Sequence, residues 1–149
     1  MVLDPAFVGR CYPGAGTYQV GREKIREFAD AIGDGNPAYR NPQAAQALGY
    51  ADVIAPPTFA IILALRAQEK LIHDPQLGLD YSRLVHGSQS FTHHRPITAG
   101  DELAATLHVE SIRAMAGNDM LTVRCEITDC AGAPVTTARS MLVIRAADA

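Results

Sequence analysis

Asp34 and Tyr39 stand five residues apart in Asp34-Gly-Asn-Pro-Ala-Tyr39, a stretch rich in turn-forming residues. A carboxylate and a phenol on one loop offer two proton-handling groups. The pair is mismatched for neutral pH, because a phenol ordinarily ionises near pH ~10. Both residues also have plain structural readings: Asp34 as a turn former after a helix, and Tyr39 as packing. Other reactive side chains are scattered. His93 and His94 are adjacent on a strand-like run, so their rings point to opposite faces and do not readily share one metal. His86 and His108 read as surface or satisfied core groups, and Glu69 as a solvated carboxylate. Cys11, Cys125 and Cys130 are odd in number and form no CxxC pair. They read as reduced thiols, and neither a disulfide nor a metal is expected.

The elements that position these groups follow from periodicity. Phe59 to Leu65 is apolar without a break, inside a helical stretch predicted over Pro57–Ile72. A helix apolar all round must be surrounded by other structure. It is too short for a bilayer, which needs ~20 apolar residues. Before it, Thr17–Val20 is β-prone. Arg22–Gly33 follows the helical template, with Ile25, Phe28, Ala29 and Ile32 on one face. Asn41 caps a short helix over Pro42–Leu48, which Gly49 stops.

After it the chain reads as strands over 83–94, 102–113, 120–128 and 135–145. Leu103, Ala105, Leu107, Val109 and Ser111 share one face, as do Leu121, Val123, Cys125 and Ile127. Gly87 marks a bulge or a close approach. Helices followed by a run of strands indicate an α+β fold with an antiparallel sheet. The expectation is a long buried central helix wrapped by a five-stranded antiparallel sheet, forming a single domain over residues 1–149. Its exposed edges invite pairing with a second copy or a relative.

Composition narrows the function classes. The chain is 48% hydrophobic and 19% charged, with a net charge of −3. That gives no reason to invoke nucleic acid, and no basic cluster suggests a membrane surface. Met-Val-Leu-Asp-Pro-Ala-Phe lacks the pattern of a signal peptide, so a cytoplasmic location is expected.

Three segments together carry a family resemblance: Ala31-Ile-Gly-Asp-Gly-Asn-Pro-Ala-Tyr39, Ala55-Pro-Pro-Thr-Phe59, and the run from Leu84 through His93-His-Arg-Pro96 to Gly100-Asp101. In order and spacing they resemble the MaoC-type hot-dog hydratases and dehydratases, above all the N-terminal, substrate-holding half of that family. The non-catalytic subunits of actinobacterial (3R)-hydroxyacyl-carrier-protein dehydratases are similar. The resemblance implies a hot-dog fold, an acyl-CoA or acyl-carrier-protein thioester as ligand, no cofactor, and a homodimer or a heterodimer with a catalytic MaoC-type subunit.

Active members of the family carry an aspartate, Asn-Pro, and a histidine five residues after the aspartate. The two titratable groups share a water that adds to, or leaves, the enoyl thioester. A backbone N–H at the start of the buried helix holds the thioester oxygen. Here the resemblance maps Asp34, Asn36 and Pro37 onto the motif and Tyr39 onto the histidine. Pro57 falls where the N–H donor, usually glycine, would stand, and proline has no N–H. Ile54, Pro57, Thr58, Phe59, Ile62 and Leu63 are the expected acyl-lining groups. Three readings follow: a subunit supporting a catalytic partner in fatty-acid metabolism, a self-sufficient homodimeric (R)-specific hydratase using Asp34 alone or with Tyr39 or a histidine from elsewhere, or a non-enzymatic acyl-thioester-binding module.

Overall fold

Residues 3–147 are described by a computed structural model. The short strand β1 (Cys11–Pro13) is followed by β2 (Tyr18–Gln19), α1 (Arg22–Ala31), α2 (Pro42–Ala47) and α3 (Ile61–Ile72). The strands β3 (Leu84–His93), β4 (Glu102–Met115), β5 (Asn118–Thr128) and β6 (Pro134–Ile144) then complete the sheet. Its order is β1-β4-β5-β6-β3, with β2 also paired to β4 and all pairings antiparallel. All five expected strands are present. The sixth, β1, lies in a stretch read as irregular, because only Tyr12 of its three residues is buried and no alternation can show.

The sheet forms because apolar residues recur with period two. Along β5, Leu121, Val123, Cys125 and Ile127 are buried while their neighbours are not. Ala116 and Gly117, both at positive φ (51° and 80°), close the β4–β5 hairpin as a two-residue turn. On β4 the inward phase runs through Leu103, Leu107 and Val109. A bulge between Val109 and Ser111 then shifts it, so Ile112, not the expected Ser111, is buried. Another register shift falls between His86 and Ser88 on β3, where a side chain on Gly87 would lie 2.8 Å from Met141 Cε.

α3 packs on one face of this sheet, chiefly against β4, β1 and β5. Leu63, Ala64, Ala67, Gln68 and Leu71 form its buried face. Two expectations need correction. The helix begins at Ile61, not Pro57: Phe59, Ile61, Ile62 and Leu63 each donate three residues back, and the i−4 ladder starts only with Ala64 to Ala60. Residues 56–60 are therefore a run of tight turns. Nor is the apolar run enclosed all round. Leu65 is 47% exposed, and Ile61 and Ile62 are only partly covered, because the sheet reaches one flank of the helix.

α1 packs through Ile25 and Ala29, both fully buried, while Ile32, expected on that face, is 48% exposed just beyond its end. Phe28 meets Phe59 edge-to-face with ring centroids 5.5 Å apart, which ties α1 to the approach of α3. Asn41 Oδ1 accepts from the N–H groups of Gln43 and Ala44, the expected cap. Gln68 Nε2 donates to Ser140 Oγ at 3.0 Å, so the helix's one buried polar group is satisfied by β6. The cysteines are free thiols, and burial pushes Cys125 up to about 12, which keeps it unreactive. No helix among the described residues is long and apolar enough to cross a membrane.

Two predictions test this packing. Phe59 is fully buried and Leu65 is half exposed. Phe59→Ala should therefore cost about 3–5 kcal/mol in urea unfolding, and Leu65→Ala under about 1 kcal/mol. Equal costs would contradict the buried face assigned to α3. On the outer face, hydrogen bonds from Arg139, then Arg124, hold Glu110 at about 2 against an ordinary 4.5. A carboxylate depressed on folding stabilises above its ordinary value and loses that contribution as pH falls toward the folded value. Acid unfolding of Glu110→Gln should thus show a shallower stability loss between pH 4.5 and about 2 than the parent chain.

Candidate functional site

The loop after α1 is built from short-range bonds that its residue types dictate. Gly33, at φ 70°, turns the chain out of the helix, and Asp34 N donates back to Ala29 O at 2.9 Å. Asp34 Oδ1 accepts from Asn36 N at 3.1 Å, and Asn36 Oδ1 accepts from Ala38 N at 3.0 Å. The second bond caps one turn of 3-10 helix, Pro37–Tyr39. Arg40 clamps the loop from below by donating to Asp34 O at 2.7 Å and pairing with Asp30. The carboxylate of Asp34 is thus engaged as a turn former, as its structural reading expected.

Tyr39 is buried at the end of that turn. Its phenol is pushed upward in pKa first by burial and second by the negative charge of Asp34, while a hydrogen bond with the Asn36 side chain opposes them. The structure therefore brings Asp34, Asn36 and Tyr39 together around one hydroxyl. That hydroxyl keeps its proton at neutral pH. It can donate a hydrogen bond but cannot serve as a base.

Tyr39 opens onto a cleft of about 360 Å³ lined also by Ile54, Ala55, Pro56, Pro57 and the segment His93–Ile97. Backbone bonds fix its two walls. Ile54 N donates to Ala38 O at 3.1 Å, Ala55 N to Ile97 O at 2.7 Å, and Ala99 N to Val53 O at 2.9 Å. Arg95 holds the second wall by a two-pronged bond to Asp101, at 2.8 and 3.1 Å, and Asp101 also accepts from Thr98 N at 2.8 Å. This clamp is the physical content of the Arg-Pro…Gly-Asp spacing. Its carboxylate partner, ahead of Asp129, raises the Arg95 guanidinium further.

Of the expected lining set, Ile54 and Pro57 border this cleft, beside Tyr39. Thr58 is exposed next to it, and Ile62 is half-buried on the first turn of α3. Phe59 is sealed in the core against Phe28, and Leu63 lines a different cleft, on the other flank of α3. Pro57, at the leading end of the helix approach, offers no N–H to a thioester oxygen.

His93 and His94 border the cleft although neither was expected there. Their rings do diverge: His93 Nδ1 lies 3.2 Å from Thr136 Oγ1 and His94 Nε2 lies 3.5 Å from Thr137 Oγ1, on adjacent residues of β6. Both nevertheless reach the cleft because β3 ends at His93 and the chain bends there. The signal that could have found them was the Arg95–Asp101 spacing, which folds the end of β3 back over residues 53–55. No group of three metal-ligating side chains assembles among the described residues. The cleft's own chemistry is two imidazoles, one protonated phenol, the Arg95 guanidinium paired with Asp101, and apolar walls.

Comparisons with known proteins agree with this architecture. A family model described as "FAS1-like, dehydratase domain region" matches residues 6–138. A protein of Saccharopolyspora erythraea described as "UPF0336 protein" is 61% identical over 97% of this chain and 93% of its own length. A "UPF0336 protein" of Streptomyces avermitilis is 58% identical over 99% of both.

Among solved structures, a "MaoC-like dehydratase" superposes with a TM-score of 0.89 at 38% identity. This chain covers 43% of that longer one, with 96% of itself aligned. A C-terminally truncated HadBC (3R-hydroxyacyl-ACP dehydratase) complex from Mycobacterium tuberculosis aligns at TM-score 0.86 and 32% identity, over 96% of this chain and 99% of that one. With a curved antiparallel sheet around α3 and these relatives, the chain belongs to the MaoC-like hot-dog dehydratase family.

Proposed function

We propose that this chain is the acyl-thioester-holding subunit of a (3R)-hydroxyacyl-thioester dehydratase or enoyl hydratase in fatty-acid metabolism, working beside a catalytic MaoC-type partner. The observation that carries this reading is one cleft that holds both Tyr39 and Pro57. The family resemblance maps Tyr39, its phenol shifted away from ionisation, onto the proton-transferring histidine. It maps Pro57, which has no N–H, onto the backbone donor.

Losing one such donor costs on the order of 100- to 1000-fold in rate where tested. General acid–base catalysis contributes a further ~100- to 10,000-fold. What the cleft retains suits binding: apolar walls at Ile54, Ala55, Pro56, Pro57 and Ile97, with the Tyr39 hydroxyl as a hydrogen-bond donor. Each methylene of an acyl chain buried there contributes ~0.8 kcal/mol. The ligand is an acyl-CoA or acyl-carrier-protein thioester.

Pairing follows from the edges. β3 ends the sheet on one side and leaves Val85 45% exposed, and Leu65 stands open on the flank of α3 that the sheet does not cover. A heterodimer with a MaoC-type subunit would cover both, as the dehydratase complex among the relatives is itself heteromeric by description. A second reading is favoured by one observation, the presence of His93 and His94 on the cleft wall. Either could supply the missing imidazole in a self-sufficient homodimeric hydratase with Asp34.

Hydration of a crotonyl thioester separates the two. The purified chain alone should turn over at background. Co-expression with a MaoC-type subunit should give a heterodimer whose rate exceeds that of the partner alone. A homodimer whose rate falls on Asp34→Asn and on His93→Gln or His94→Gln would establish the second reading instead. Measurable acyl-thioester binding without turnover in any mixture would leave a non-catalytic binding module.

The Tyr39 environment has its own check. Phenolate absorbance of the parent chain minus that of Tyr39→Phe should develop above the ordinary 10.0. A Tyr39 that ionises below that value would remove the argument that its proton is immobile at neutral pH.

A further inference from the structure

A second cleft, of about 380 Å³, lies on the other flank of α3 and takes no part in the site above. Its floor is apolar, from Leu63 and Ala67 of α3 and Leu103 and Ala105 of β4. Its outer wall is the loop joining β1 to β2. That wall is held close by backbone: Gly14 N donates to Ala105 O at 2.9 Å, and a side chain on Gly14 would lie 2.5 Å from the same oxygen. Gly16, at φ 93°, takes the loop back over the cleft. The wall therefore has its shape before any ligand arrives, which lowers the cost of binding.

The rim carries Arg66 and Lys70, one helical turn apart, and Glu69 between them. Nine of the thirteen Lys and Arg side chains are in ion pairs with carboxylates. Arg66 and Lys70 are in none of them, and they stand together at this one cleft. Lys70 Nζ donates to Pro13 O at 2.6 Å, and the Arg66 guanidinium stacks over the Tyr18 ring at 4.8 Å. Both heads are thus held at the rim by contacts that leave their charge uncancelled. Two cations to one carboxylate give the rim a net positive charge.

We infer that this cleft is a binding site for a medium-chain aliphatic carboxylate. The aliphatic body lies on the Leu63–Ala67–Leu103–Ala105 floor, and the carboxylate is held by Arg66 and Lys70. A planar guanidinium matches a carboxylate in a two-pronged bond, which a neutral head group cannot form. The apolar floor asks for a body as well as a charge, so a bare anion satisfies only half of the site. The cleft is at the small end of ligand pockets, which suits a medium rather than a long chain. This site is separate from the Tyr39 cleft and does not depend on the subunit role proposed there.

Titration calorimetry on the chain in its native assembly tests it, with decanoate, decanol, acetate and inorganic phosphate as probes. Decanoate should bind, while decanol, acetate and phosphate bind at least about ten-fold more weakly. The double variant Arg66→Gln/Lys70→Gln, on an exposed rim and with an unchanged unfolding midpoint, should weaken decanoate about ten-fold or more. Ile54→Trp, which crowds the Tyr39 cleft instead, should leave decanoate binding unchanged. The inference is overturned if decanoate does not bind, if the double variant binds it normally, if phosphate binds as tightly, or if Ile54→Trp alone abolishes binding.

Discussion

One helix laid against one curved sheet can bury only one of its flanks. That constraint governs the rest of the molecule. Leu63, Ala64, Ala67 and Leu71 meet β4, β1 and β5 and form the centre of the core. The burial is the dominant favourable contribution to the fold. The same geometry leaves the rest of α3 uncovered. On one side Leu65 stands exposed. On the other, Arg66 and Lys70 border a cleft whose second wall is a glycine loop. The central helix therefore supplies both the core and exposed, cleft-lining surface, with different residues on successive turns in each.

The approach to that helix is positioned from outside rather than by its own propensity. Residues 53–55 are stitched to Ala38 on one side and to Ile97 and Ala99 on the other. The segment around Ile97 is in turn fixed by Arg95 on Asp101. A half-exposed ion pair of this kind contributes little on its own. Its value here is geometric, since the two-pronged bond fixes where the end of β3 bends. The clamp thereby seats Ile97 in the core and keeps His93 and His94 on the cleft wall beside Tyr39.

The strands were legible in the sequence because period-two burial leaves a strong mark, as Leu121, Val123, Cys125 and Ile127 show. The α+β class and the capped helix after Asn41 were legible for the same reason: each rests on local residue types. What was not legible depended on distant partners. β1 is a strand only because β4 is there to pair with it. The bulge at Val109/Ser111 moved burial from Ser111 to Ile112, and no local signal announces a one-residue shift. The tight turns before Ile61 escaped because Pro56 and Pro57 suit a helix start and a turn equally well. In the site, the loop chemistry of Asp34, Asn36 and Tyr39 was visible. The arrival of His93 and His94 required the fold.

The two departures that the family resemblance implies at the Tyr39 cleft differ in kind, and this bears on which reading of the chain is physically simpler. Tyr39 for histidine exchanges one titratable group for another whose proton is held more firmly by burial and by Asp34. A nearby imidazole could in principle take over that task, and two are present. Pro57 has no N–H, and it sits in the turns over residues 56–60 that lead into α3, so a donor mapped there is harder to compensate. A missing backbone donor is replaced only by another donor aimed at the same point, a stricter demand than bringing an imidazole within reach of a proton. A chain that had shifted its base to His93 or His94 would still lack the donor that steadies the charge growing on the thioester oxygen. A chain that leaves both tasks to a neighbouring subunit lacks nothing it needs, and keeps the apolar walls.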